Sequence, residues 1–220
     1  MPEFRAAEVA RALRTVAARR ASVPSGDRAR QDALALIERE SLAATASGFR
    51  IFPVAAVRGA VFDLRKASIS IPGFGPFAEK ITAIAAGACT LGGKLEARVS
   101  ALFQVRRPLV AHELDAIGTE LLFCVAERVV AGIRREARRA GLRASAELNP
   151  GDPGLELDQQ PVALALADGA TLGIAASASG MLTPVKSLTF VVALGRGLPQ
   201  SASGRCDRCS ARDRCSIRQI

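Results

Sequence analysis

The chain has no tryptophan, no tyrosine and a single histidine, His112, so nine phenylalanines supply all of its aromatic surface. One histidine excludes a Ser-His-Asp hydrolase unless His112 itself serves, and no Gly-x-Ser-x-Gly elbow accompanies it. Its place early in an apolar helical pattern favours a simple packed or exposed side chain. Scarce aromatics also weigh against nucleic-acid binding, which sets basic residues beside exposed stacking rings, whereas Phe here stands mostly within apolar runs. No run approaches the roughly 18 uncharged apolar residues of a membrane helix. The start, Met1-Pro2-Glu3-Phe4-Arg5, lacks the charged-then-apolar order of a signal peptide, so a cytoplasmic protein with no membrane role is expected. A phosphate cradle is missing too, because Gly73-Phe74-Gly75 lies between Pro72 and Pro76 as a turn. Lysine is rare: of 30 Lys+Arg only Lys66, Lys80, Lys94 and Lys186 are lysines. The arginine skew is as consistent with genomic base composition as with a partner, although a net charge of +9 would steer an acidic protein.

What is present is ample apolar material, 49% hydrophobic residues in 220, enough for a buried core. Apolar residues recur at helical spacing over 3–20 (Phe4, Val9, Leu13, Val16) and over 27–42 (Ala33, Leu34, Ile37, Leu42), with a break at Pro24 between them. Beyond Gly48 the pattern shortens into two short strands up to Leu64, then Ser68 to Ile71, then the proline-rich turn. Ile81 to Cys89 is small and nearly uncharged, as in a buried strand, and Leu95, Val99, Leu102 and Phe103 mark a helix. Pro108 opens the longest element, a helix from Leu109 to Ala140 that closes on Arg134, Arg135, Arg138 and Arg139 and stops at Gly141. Strands are expected over Leu172 to Ala176 and Ser187 to Leu194, joined as an antiparallel pair, which gives an α+β fold.

Between the long helix and this C-terminal third lies Asn149-Pro150-Gly151-Asp152-Pro153-Gly154, followed by Leu157-Asp158-Gln159-Gln160. Two Pro-Gly pairs extend neither a helix nor a ladder, so backbone groups are expected to point outward. Ala144 to Asp168 holds five carboxylates and no cation. Either this is an acidic loop selecting a cationic or donor-rich ligand, or it is a solvated turn whose Asp158 caps the next helix.

Ala88-Cys89-Thr90-Leu91-Gly92, Leu114 to Gly118, the Asn149 to Asp152 loop with Leu157 to Gln160, Met181-Leu182-Thr183-Pro184-Val185-Lys186-Ser187 and a cysteine tail follow one another in an order that resembles the activation domain of cobalamin-dependent methionine synthase, in particular short stand-alone relatives ending in cysteines. The resemblance runs from about Ile81 to the C-terminus. It implies a long central helix and flanking helices packed on a curved antiparallel sheet, S-adenosylmethionine as ligand, and a partner that carries cobalamin, whose cob(II)alamin form is reduced and then methylated. Pro150 and Gly151 match the family's Arg-x-x-Pro-Gly-Tyr loop, whereas Asp152 stands at the tyrosine and Glu147 at the arginine; the acid of the preceding helix falls near Glu120. Glu120, Glu147, Asn149, Pro150, Gly151, Asp152 and Lys186 are therefore the expected ligand-binding residues. The acids would welcome a sulfonium and an ammonium, and Arg143 or Lys186 would meet the carboxylate. The alternatives are a surface acid paired with an arginine for Glu120 and a solvated cation for Lys186.

Five cysteines without an export signal argue for thiols or metal ligands. Cys206, Cys209 and Cys215 are spaced to share one ion, an iron–sulfur cluster or zinc, with Cys89, Cys124 or His112 as a fourth ligand; reduced free thiols are the alternative. The expected organisation is an N-terminal helical region over 1–48, a ligand-binding core over 49–195 and a linker with cysteine tail over 196–220. The expected function is reactivation of a cobalamin-dependent methyltransferase, with an electron-donor protein as a further partner. The other readings are a metal-binding adaptor of a corrinoid protein and a basic zinc protein touching nucleic acid.

Overall fold

In the computed structural model, residues 6–20 and 27–198 are described. Two helices come first, α1 (Ala6–Arg20) and α2 (Asp27–Arg39), followed by β1 (Ala46–Pro53), β2 (Ala56–Arg58), β3 (Val61–Asp63) and β4 (Ser68–Ser70). A 3-10 stretch over Pro72–Lys80 leads into β5 (Ile81–Thr90), α3 (Lys94–Gln104), α4 (Pro108–Arg139) and β6 (Arg143–Leu148). Then come α5 (Gln160–Leu166), β7 (Ala175–Ala176), β8 (Leu182–Thr183) and β9 (Ser187–Gly195).

The main sheet is antiparallel throughout, in the order β1-β5-β9-β6. Its central strands alternate between two cores, as the period of two in a pleated strand requires. Ala83, Ala85 and Cys89 of β5, with Phe190, Val192 and Leu194 of β9, face α1 to α4. Ile84, Ala86 and Ala88, with Val191 and Ala193, face the opposite way, against Phe62, Ile69, Phe74 and α5. Both faces are covered, which is why β5 reads as an unbroken apolar run. The register shifts between Ile81 and Ala83 of β5 and between Ala144 and Glu147 of β6.

The 32 residues of α4 lay Leu114, Ile117, Leu121, Val125 and Ile133 against the sheet. Two glycines allow close approach: a Cβ on Gly118 would stand 2.9 Å from Leu95 of α3, and one on Gly132 would stand 3.1 Å from Phe49 of β1. The helix ends as expected, with Arg138 and Arg139 in its last turn and Gly141 at φ +69°. Among the described residues no helix is long and apolar enough to cross a membrane.

Three expectations need correction, and one strand went unexpected. The segment after Gly48 begins with β1, an eight-residue strand of the main sheet, whereas β2 and β3 pair with β4 in a separate small sheet. Residues 172–176 form only the two-residue β7, which pairs with β8. The strand from Ser187 pairs instead with β5 and β6. β6 itself was not foreseen: Arg143-Ala-Ser-Ala-Glu-Leu contains no β-branched or aromatic residue and is a strand because β9 offers it a ladder.

Candidate functional site

At the start of β9, Lys186 is 8% exposed, so its charge requires a partner. Its Nζ stands 2.8 Å from Asp115 Oδ1 and donates to Thr119 Oγ1 at 2.8 Å. Asp115 and Thr119 lie four apart on α4, on one face of the helix. The Lys186 carbonyl accepts from the Leu91 amide at 2.9 Å and from Thr90 Oγ1, and Thr90 Oγ1 in turn accepts from Ser187 Oγ at 2.8 Å. The solvated-cation alternative for Lys186 is thereby excluded. Next along α4, Glu120 is 5% exposed, which excludes a surface acid, and Glu147 is 8% exposed opposite Val192. Because Leu148 belongs to the core on the other face, alternation directs Glu147 toward α4. Both acids are engaged within the fold.

The loop after β6 is held by its own hydrogen bonds. Asp152 Oδ2 accepts from the Asn149 amide at 2.9 Å and from Asn149 Nδ2 at 2.7 Å. The Asp152 amide donates to the Asn149 carbonyl, Leu155 to Asp152, and Gly151 to Leu155. Gly151 and Gly154 have φ of +96° and +94°, and Gly154 accepts from the Gly73 amide at 2.9 Å. The amides are therefore turned inward, not outward as expected, and the Asp152 carboxylate closes the loop. What the loop leaves over is Asn149 Oδ1, a buried acceptor with no donor among the described residues.

Leu157 joins this loop to the connection before β9. Its side chain lies 3.8 Å from where a Cβ of Gly151 would stand and 2.9 Å from that of Gly180. Asp158 does not cap α5: its Oδ1 accepts from Gln159 Nε2, and the helix starts on Gln160 with Pro161 in its first turn. Gln160 reaches across to donate from Nε2 to Thr189 Oγ1 in β9. Arg143 lies at the far end of β6, paired with Gly195, roughly 16 Å of strand from Leu148. It lines a small cleft with Arg134 and Arg138 and does not share the end of the sheet where Asn149 stands.

Cys206, Cys209 and Cys215 lie outside the described residues. Of the proposed fourth ligands, Cys89 is fully buried in β5, and Cys124 is part-buried on α4. His112 is exposed, edge-on to Phe103 with ring centroids 5.1 Å apart. Among the described residues no group of three His, Cys, Asp or Glu side chains is placed to hold a metal ion. Sequence reasoning named Thr90, Asp115 and Gln160 only within the segments that carry the resemblance, gave them no role, and did not single out Thr119. The spacing of Asp115 and Thr119 was the one available signal, and nothing in the sequence tied either to Lys186, about 70 residues on.

No protein-family profile and no curated protein matches the chain. Among solved structures it is similar to the crystal structure of the MetH reactivation domain bound to AdoHcy, with a TM-score of 0.63 and 16% sequence identity over 88% of this chain and 74% of that one. At that identity the likeness establishes the fold: a long central helix with flanking helices on an antiparallel sheet, as the sequence led us to expect.

Proposed function

We propose that the chain binds S-adenosylmethionine at the end of the sheet bounded by Glu120, Glu147, Asn149 to Asp152 and the 179–187 connection, and presents it to cobalamin on a partner corrinoid protein. The observation that carries this reading is the correspondence of most of the chain to a domain whose structure was determined with AdoHcy bound. The residues present fit a ligand of that kind: Asn149 Oδ1 is a buried acceptor with no donor among the described residues, and the buried acids Glu120 and Glu147 suit a cationic nucleoside. Lys186 acts as a positioning residue, tying the connection to α4 beside Glu120. Bound cobalamin supplies the nucleophile, so this chain contributes orientation and the exclusion of water.

Calorimetry with S-adenosylmethionine and S-adenosylhomocysteine, on the chain alone and with a cobalamin-binding partner, tests the reading. Glu147→Gln or Asn149→Ala is expected to weaken binding about tenfold, roughly 1.4 kcal/mol. No heat with either nucleoside in either setting rejects it. A second reading, the fold retained as a corrinoid-protein adaptor without methyl donor, is favoured by Asp152 turned into its own loop. For Cys206, Cys209 and Cys215 we propose a cluster or zinc site on spacing alone. Iron and zinc content after anaerobic purification decides between them, and a chain containing neither returns the tail to free thiols.

A further inference from the structure

The turn between α3 and α4 carries a surface that the proposed function does not use. Phe103, Val105 and Leu109 are 44%, 63% and 73% exposed within seven residues, so large apolar side chains cluster in water at one place. Beside them a groove of about 460 Å³ runs between this turn and the start of α2, lined by Arg28, Ala29, Asp32 and residues 106–110. Its charges do not cancel. Arg107 pairs with Asp32 at 2.7 Å, while Arg28 and Arg106 have no ion-pair partner among the described residues. The first turn of α4 adds to the positive field: it holds no acidic residue, and Arg107 at its N-cap makes no side-chain capping bond.

We propose that this groove docks an acidic, amphipathic segment of a partner protein, its carboxylates on Arg28 and Arg106 and an apolar side chain against Pro108, Leu109 and Val110. Charge selects this occupant over the two nearest ones. Residues 199–220 of the chain itself carry Arg205, Arg208, Arg212, Arg214 and Arg218 against only Asp207 and Asp213, so they repel the groove rather than complement it. A second copy brings a chain of net charge +9 against its like. A partner segment of alternating acidic and apolar residues satisfies both halves of the surface.

Fluorescence anisotropy on the full chain, with a labelled short peptide of alternating Glu and Leu, tests this. Saturable binding is expected that weakens as salt rises and falls tenfold or more in Arg28→Glu and in Arg106→Glu, while a matched Lys and Leu peptide does not bind. Leu109→Ser, at an exposed position, is expected to weaken it severalfold with the circular dichroism melt unchanged. Equal binding of acidic and basic peptides, or wild-type affinity in the arginine variants, overturns the proposal. So does inorganic phosphate displacing the peptide at low concentration, which marks an oxyanion site, and self-association abolished by Leu109→Ser, which marks a second copy as occupant.

Discussion

Gly154 combines a φ of +94° with the Cα of Gly73 only 2.5 Å from where its own side chain would begin. Gly154→Ala therefore adds left-handed strain to a backbone clash, and a loss of about 3 kcal/mol is expected in urea denaturation. Gly75→Ala, which meets nothing within 4 Å, is the control and should be close to neutral. A neutral Gly154→Ala would show that the loop does not hold this conformation. The tight loop was legible from its two Pro-Gly pairs, since positive φ is a local requirement. The direction of Asp152 was not, because a carboxylate beside an amide donor from Asn149 turns inward where one facing only water would not.

β5 and β9 are hydrogen-bonded on both sides, whereas β1 and β6 are edges of the main sheet and β2 to β4 form a small sheet of three-residue strands. Amide exchange is expected to be slowest in β5 and β9, faster in β1 and β6, and fastest in β2 to β4. Slower exchange in β1 than in β5 contradicts the strand order. The elements read correctly from sequence, among them α1, α2, α3, α4, β5 and β9, are those whose apolar spacing or unbroken apolar run is written in consecutive residues. β6 escaped because its register is dictated by β9, and the pairing of residues 172–176 was misplaced because the two-residue β8, inside the connection, takes β7 as its partner and leaves β9 to the main sheet.

Two apolar cores lie on opposite faces of one sheet, so β5 and β9 are walls of both. Ile117→Ala empties space in the first and Ile69→Ala in the second; both side chains are fully buried, and each change should cost about 2–4 kcal/mol. Because the walls are shared, fluorescence-independent probes such as far-UV dichroism and calorimetry should give one coincident transition in either variant. Separate transitions would mean that the cores unfold independently. α1 and α2 belong to the first core, a placement that no feature of their own sequence announces beyond an apolar stripe. By itself the sequence determined the α+β class, the long helix with its proline start and glycine stop, and the glycine turns, all consequences of contacts within a few residues. Only the tertiary structure decided that Lys186 meets Asp115 and Thr119, that Glu120 and Glu147 are both buried, and that Asn149 is left with an acceptor unmatched among the described residues. Polar groups take whichever partner the packing of distant elements delivers, and that delivery depends on how α4 lies across the sheet rather than on any spacing along the chain.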